Sequence, residues 1–188
     1  MTAKKGKLTV ITGCMTSGKS HELLQALQQA GRTVQAFVPK SGSRSGASVS
    51  SRSGLKRSAI VIDELAEFVR AGALDAVTAE VVGFDEAHFF DDSLITAVRG
   101  LVERDVDVIV AGLDVSYRAE PFGPLPQLLA LADEVVKLTA VCAVCGRPAT
   151  LNQRLVGSLP ADAQPGSYLG GDESYQPRCR DCHEVPKD

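Results

Sequence analysis

Apolar residues fall along the first 140 positions in two alternating rhythms. Short runs rich in Val, Ile and Leu predict buried strands at Lys7–Ile11 (KLTVI), Thr33–Val38 (TVQAFV), Ala59–Ile62 (AIVI), Glu80–Phe84 (EVVGF), Val106–Leu113 (VDVIVAGL) and Glu134–Leu138 (EVVKL). Between them apolar residues recur at helical spacing. This predicts helices over about Ser20–Ala30, closed by Gly31; over Asp63–Ala71, with Asp63 as N-cap; over Ser93–Arg104; and a short one within Pro121–Ala132. Strands alternating with helices imply an α/β architecture, in which a mostly parallel sheet is covered on both faces.

Two stretches break the rhythm. Residues 41–58 hold eight Ser, three Gly and four bases, with no acid and no aromatic. Such a composition buries little apolar surface and predicts a loop, either a plain linker or a lid over phosphates. After Thr139 the alternation stops and a cysteine-containing region begins.

Composition narrows the class. The chain has 188 residues, 44% hydrophobic and 23% charged, enough for one substantial globular domain and a small appendage. No run approaches the roughly 20 apolar residues of a membrane span, and MTAKKGKLTV lacks the pattern of a secretory signal, so a cytoplasmic location is expected. The net charge of −3 hides an asymmetry: residues 1–60 carry ten Lys or Arg against the single acid Glu22, a balance of +9. That basic third predicts either a handled polyanion or a solvated basic face.

The chemistry-bearing motif lies between the first strand and first helix. Gly13-Cys14-Met15-Thr16-Ser17-Gly18-Lys19-Ser20 matches G-x4-G-K-[ST] completely. Glycines let the backbone curl its N–H groups inward, and the following helix adds its positive end. Lys19 would reach the β- and γ-phosphates of ATP, and Ser20 would ligate Mg²⁺. Asp85-Glu86 ends the fourth strand, where a phosphate-loop protein carries its metal-holding acid; Asp85 would serve Mg²⁺ and Glu86 would be the general base. Asp114 also ends a strand and is either metal support or a cap or turn residue. Asp85-Glu86-Ala87-His88 spells DEAH, a helicase motif, but the chain has room for one motor domain where helicases need two.

Five cysteines are present, four of them in two Cys-x2-Cys pairs, Cys142/Cys145 and Cys179/Cys182, with 33 residues between the pairs. In a cytosolic protein such pairs are read as ligands of a structural, closed Zn²⁺ site, with the intervening segment pinned at its base. His183 is an alternative fourth ligand. Cys14, in the phosphate loop, is not counted.

Together these motifs resemble the type II, cellular-type thymidine kinase family. GCMTSGKS is similar to that family's phosphate loop, SGLKRSAIVI to the segment after its flexible loop, VVGFDEAHFF to its acidic-pair strand, and VAGLDVSYRAEPFG to its next strand and turn. CAVC and GGDESYQPRCRDC are similar to its zinc site and lasso loop. The resemblance implies a RecA-like phosphate-loop kinase domain at 1–140, then a zinc-binding domain with a nucleoside-covering lasso at 141–188. It implies transfer of the ATP γ-phosphate to the 5′-hydroxyl of thymidine, with Glu86 as proton acceptor. By position, Gly13 to Ser20 and Asp85, Glu86, Ala87 and His88 contact ATP. Met15, Phe89, Tyr117, Phe122, the lasso residues Gly166, Ser167, Tyr168, Leu169 and Gly170, and Tyr175 line the nucleoside pocket. It further implies homotetramers, inhibition by dTTP, and no nucleic-acid or membrane partner. Three departures stand out: His88 where the family usually has Gln, Arg52-Ser53 where it has His-Asp, and Ser43-Arg44 where it has Asp-Arg. A nucleic-acid motor fragment and a non-catalytic zinc module are the competing readings.

Overall fold

A computed structural model gives the structure of residues 4–42, 46–156, 159–160 and 174–185. The elements run β1 (Leu8–Gly13), α1 (Lys19–Gln29), β2 (Val34–Pro39), β3 (Ser48–Ser50), β4 (Lys56–Ser58), β5 (Ile60–Ile62), α2 (Leu65–Arg70), β6 (Val81–Phe84), α3 (Ser93–Glu103), β7 (Asp107–Gly112), α4 (Leu125–Leu131) and β8 (Glu134–Leu138). A second set follows: β9 (Ala140–Val141), β10 (Pro148–Ala149), β11 (Leu151–Val156), β12 (Leu159–Pro160) and β13 (Tyr175–Arg178).

Six strands form one sheet in the order β5-β2-β6-β7-β1-β8, every pairing parallel. Alternation along each strand divides the core in two. Val10, Phe37, Val82, Phe84, Val108 and Val110 face one side, where Leu65 of α2, Leu94 and Leu101 of α3, and Leu125 and Leu128 of α4 cover them. Ile11, Ala36, Val38, Val81 and Ala111 face the other, under Leu23, Leu24 and Leu27 of α1. Because all the strands are parallel, the turns after β1, β6 and β7 emerge at one end of the sheet, and these carry the candidate catalytic residues. β7 lies between β1 and β6, so the phosphate loop and the acidic pair stand one strand apart. This is the expected α/β, RecA-like arrangement, with all six strands of the sheet where the sequence puts them.

The structure sharpens four of these readings. The Ser-rich stretch is not all loop: β3 and β4 pair as an antiparallel hairpin, and Val49 between the serines is buried against the α1 face. One valine, placed where the hairpin meets the core, anchors a segment whose composition argues against burial. α2 starts later than expected, with Glu64 rather than Asp63 at its N-cap and no side-chain cap. The region beyond Thr139, where the α/β alternation stops, holds two small antiparallel sheets, β9–β10 and β12-β11-β13. Finally, at least five of the ten bases of the N-terminal third are paired. Lys4, Lys5, Lys7, Arg32 and Lys40 each meet a carboxylate supplied by Asp105, Glu103, Glu134, Asp107 and Asp63 respectively.

Phe84 precedes the acidic pair and stacks on Phe37 at 5.2 Å with no exposed surface. Phe84→Ala is expected to cost about 3–5 kcal/mol of stability through the cavity it leaves; urea unfolding monitored by circular dichroism measures the loss.

Candidate active site

β1 runs into the phosphate loop Gly13–Ser20, and α1 begins at Lys19, inside the motif. Gly13, Thr16 and Gly18 all have positive φ, at 145°, 65° and 95°. Glycine is required at 13 on two counts. Side chains rarely adopt its φ, and a Cβ would sit 2.4 Å from the Leu138 carbonyl oxygen on β8. The Lys19 ammonium donates to the Cys14 carbonyl at 2.8 Å. Burial holds it below the usual lysine pKa, while the carboxylates of Glu86 and Asp85 pull it part of the way back. No side chain caps α1, and the Ser17 hydroxyl is buried without a hydrogen-bond partner among the described residues. Uncapped helix N–H groups, a spare hydroxyl and a buried ammonium are a donor set that fits phosphate.

Asp85 is buried, and its Oδ1 accepts from the Glu86 N–H at 2.9 Å. Glu86 is left-handed, at φ 49° and ψ 38°, a conformation costing of the order of 1–3 kcal/mol for a non-glycine residue. It opens a single 3-10 turn, Ala87–Phe89. Gly123 presses on this turn from the opposite side. At its φ of 55°, a Cβ would lie 2.5 Å from the His88 carbonyl oxygen. Asp114, just past β7, caps no helix. Its Oδ2 accepts from Lys137 at 2.6 Å, and its buried Oδ1 has no hydrogen-bond partner among the described residues. An unpaired buried carboxylate oxygen within the field of Lys19 fits a site that takes a hydrated cation.

The nucleoside-pocket candidates gather in two groups beside Leu113. Met15, Tyr117 and Tyr175 form one buried apolar cluster packed against it. Phe89 and Phe122 meet edge to face at 6.0 Å, with the His88 ring against both, and His88 in turn accepts from the Leu113 N–H. The guanidinium of Arg154 lies 5.5 Å from the centre of the Tyr117 ring. Gly166, Ser167, Tyr168, Leu169 and Gly170, together with the departure Ser43-Arg44, lie outside the described residues. An open cavity of about 530 Å³ separates Thr16 of the phosphate loop from Thr139, Ala140, Val141, Gly146 and Pro148.

The four paired cysteines converge, with every Sγ within 4.8 Å of the others. Cys145 and Cys179 sulfurs are 3.6 Å apart, close to the roughly 3.8 Å edge of a tetrahedron with 2.3 Å Zn–S arms. Burial raises the Cys142 thiol, but the N–H groups of Cys179, Cys145 and Val144 outweigh it and bring the pKa down to about 6. Arg147 donates to the Cys145 and Cys179 sulfurs and lowers the Cys145 thiol. Cys182 is pushed up to about 12, first by Cys179 and then by Cys145. Two thiols drawn down and a third pushed up by its sulfur neighbours mark sulfurs packed too closely to ionise together unaided, and the donor set fits Zn²⁺. His183 is not among these ligands; its Nε2 bonds the carbonyl oxygens of Tyr117 at 3.0 Å and Asn152 at 3.2 Å. Cys14 is packed against the cluster, its thiol donating to the Ala149 carbonyl at 3.3 Å and raised by burial.

Asn152 is the residue that spacing alone does not reveal. Buried on β11, it accepts the Met15 N–H at 2.7 Å through Oδ1 and donates to the Val115 carbonyl at 3.2 Å through Nδ2. Its neighbour Gln153, also fully buried, bonds the backbone of Glu184 on both sides of its amide. Two adjacent amides between the apolar residues Leu151 and Leu155 are the available signal.

The sequence model of the family described as "TK: Thymidine kinase" matches residues 6–183. The chain belongs to the thymidine kinase family. Its activity is accordingly thymidine phosphorylation with ATP as donor. A curated thymidine kinase from Coprothermobacter proteolyticus is 45% identical over 186 residues, covering 96% of this chain and 92% of its own length. Two solved structures are similar at a lower level. The flagellar accessory protein FlaH from Methanocaldococcus jannaschii has a TM-score of 0.45 and 16% identity, covering 77% of this chain and 76% of its own. A DNA replication initiation factor has a TM-score of 0.43 and 12% identity, covering 71% of this chain and 40% of its own. No helix among the described residues is long and apolar enough to cross a membrane.

Two departures from the thymidine kinase pattern are placed by the structure. Ser53 bonds the His21 ring at 2.6 Å, tying the β3–β4 turn to the first turn of α1, and His88 sits between the acidic pair and the pocket. Asn152→Ala would strand the Met15 N–H and the Val115 carbonyl and is expected to cost about 1–3 kcal/mol for each buried group left unpaired, read by thermal unfolding together with the KM for ATP. Cys179→Ser should cut bound zinc from one per chain towards none and lower the melting temperature, measured by atomic absorption and calorimetry. A folded wild-type chain carrying no zinc would contradict the assignment.

Proposed function

We propose that this thymidine kinase transfers the ATP γ-phosphoryl group to the thymidine 5′-hydroxyl with Glu86 as proton acceptor. The observation that carries the reading is that Lys19 lies in the field of both Asp85 and Glu86, on the same loop whose Met15 packs with Tyr117 and Tyr175. The 5′-oxygen attacks the γ-phosphorus, the bond from γ-phosphorus to the β–γ bridging oxygen breaks, and ADP leaves. The 5′-hydroxyl proton passes to the Glu86 carboxylate. Gly13 to Ser20 hold the phosphates, and the cavity beside Thr16 gives room for the rest of the donor nucleotide. Ser20 and Asp85 would hold Mg²⁺, which neutralises charge on the β- and γ-phosphate oxygens.

Met15, Phe89, Tyr117, Phe122 and Tyr175 line the acceptor side, and the family resemblance assigns residues 166–170 to nucleoside binding. We divide the chain into a kinase domain at 1–140 and a zinc domain at 141–188, with Cys142, Cys145, Cys179 and Cys182 holding a structural Zn²⁺. The family resemblance also supports a cytoplasmic homotetramer inhibited by dTTP.

Positioning and charge neutralisation supply most of the rate in phosphoryl transfer, so removing the base is not expected to abolish donor binding. Glu86→Gln should lower kcat about 10²–10⁴-fold, with ATP affinity measured by calorimetry close to that of wild type. Turnover of labelled ATP into dTMP at the wild-type rate in that variant would remove Glu86 as the base.

A further inference from the structure

We propose that His88 is a positioning residue for Glu86: a neutral imidazole, fixed as the Nε2–H tautomer, whose N–H holds the carboxylate at the phosphoryl-transfer site. The inference rests on the reading of Glu86 as the base.

Three observations carry it. The His88 side chain is 1% exposed, so its orientation is set by protein contacts. Its Nδ1 accepts a hydrogen bond from the Leu113 N–H at 3.1 Å. A backbone amide can only donate, so Nδ1 carries no proton in this arrangement and the neutral ring must carry its proton on Nε2. Nε2 lies 3.7 Å from Glu86 Oε2, in electrostatic contact and slightly beyond a direct hydrogen bond.

The ring cannot easily change this aim. It is held between Phe89, with centroids 4.2 Å apart, and Phe122, at 4.9 Å. The backbone behind it is confined as well. A Cβ on Gly112 would lie 3.2 Å from the His88 nitrogen, and one on Gly123 would lie 2.5 Å from the His88 oxygen. His88 therefore links three things: the end of β7 through Leu113, the aromatic pair on the acceptor side, and the carboxylate. The backbone of Glu86 is left-handed, and the imidazole beside its carboxylate is a fixed point for that side chain. Other charged groups at this end of the sheet include Asp85, Lys19, the Asp114–Lys137 pair and, on the turn after β7, the Arg118–Glu120 pair. A neutral donor steers the carboxylate without cancelling its charge, as a cation would. A glutamine at this position would satisfy the same two partners, its amide oxygen accepting from Leu113 and its nitrogen donating to Glu86. The imidazole is thus read as the equivalent of an amide, one acceptor and one donor back to back.

Two measurements test this. In ¹⁵N-histidine-labelled wild-type protein at neutral pH, the His88 signal, identified by its disappearance in His88→Gln, should show an unprotonated Nδ1 and a protonated Nε2. The Nδ1–H tautomer or an imidazolium there overturns the proposal. In steady-state kinetics, His88→Leu keeps the bulk against Phe89 and Phe122 but removes both polar functions. It should lower kcat about 10–100-fold, the scale of a catalytic group displaced by an ångström, with KM for thymidine moving less than about threefold, and His88→Gln should recover most of the lost kcat. A raised KM with unchanged kcat, or a glutamine variant as impaired as the leucine one, overturns it. If His88→Leu does not fold, the tautomer and the kcat of His88→Gln decide, a fall of more than about tenfold in the latter counting against the proposal. Glu86→Gln run alongside separates the two ideas: activity surviving there removes the base itself, whereas loss there with an unimpaired His88→Leu overturns only this inference.

Discussion

The structure depends most on one buried hydrogen bond, from the Met15 N–H to Asn152 Oδ1 at 2.7 Å. A phosphate loop turns several N–H groups inward, and its curl is fixed by those that find partners within the protein, as the Ser17 N–H does at the Cys14 carbonyl. Asn152 satisfies one of them from outside and so fixes the start of the curl. The same amide reaches the Val115 carbonyl, and the Asn152 carbonyl meets the His183 ring, which also bonds the Tyr117 carbonyl. Phosphate loop, post-β7 turn and zinc region therefore share one polar knot. Cys14 packs beside the cysteine cluster and reinforces it with apolar contact. A zinc site with no position for substrate still bears on the chemistry, because the strand it anchors holds the loop.

At the other end of the site, rigidity and strain sit side by side. Phe84 is locked in the core by stacking on Phe37, and two residues later Glu86 takes a left-handed backbone. The turn that follows is confined by Gly112 and Gly123, whose missing side chains leave the only room for it. Such crowding lets a small protein hold a strained carboxylate without a lever of its own: the cost is borne by the packed sheet behind it. The parallel sheet makes this economical, since the ends of β1, β6 and β7 all open on the same side.

How much of this is legible in the sequence follows from the range of each signal. The phosphate loop, the strand-end acids and the cysteine pairs are local patterns, each complete within a few residues, and the structure brings their members together. The charge asymmetry decides little because it is a sum along the chain, whereas Lys7 and Glu134, or Arg32 and Asp107, meet only in the fold. Val49 hides among serines because a single apolar residue has no periodicity. Asn152 and His183 carry their meaning entirely in distant backbone groups, which no spacing rule encodes. The rival placement of His183 as a metal ligand arises the same way: adjacency to Cys182 is visible, while its contacts with Tyr117 and Asn152 are not.

Electrostatics supports the proposal of a divalent cation in this site. Lys19 already balances two carboxylates, and burial holds its pKa below the usual range. A triphosphate brought onto the loop adds several negative charges beside Asp85, Glu86 and Asp114. The helix end contributes about half a unit of positive charge, and Lys19 one more, which does not offset them. Asp114 spends one oxygen on Lys137 and keeps the other buried without a hydrogen-bond partner among the described residues, an arrangement stable only if something positive or hydrated completes it. The acids thus make the buried site tolerable for Lys19, and on the proposed reading they leave bound triphosphate short of positive charge that Mg²⁺ would supply. Donor phosphate and metal are then expected to bind as one unit, each supplying the charge the other requires.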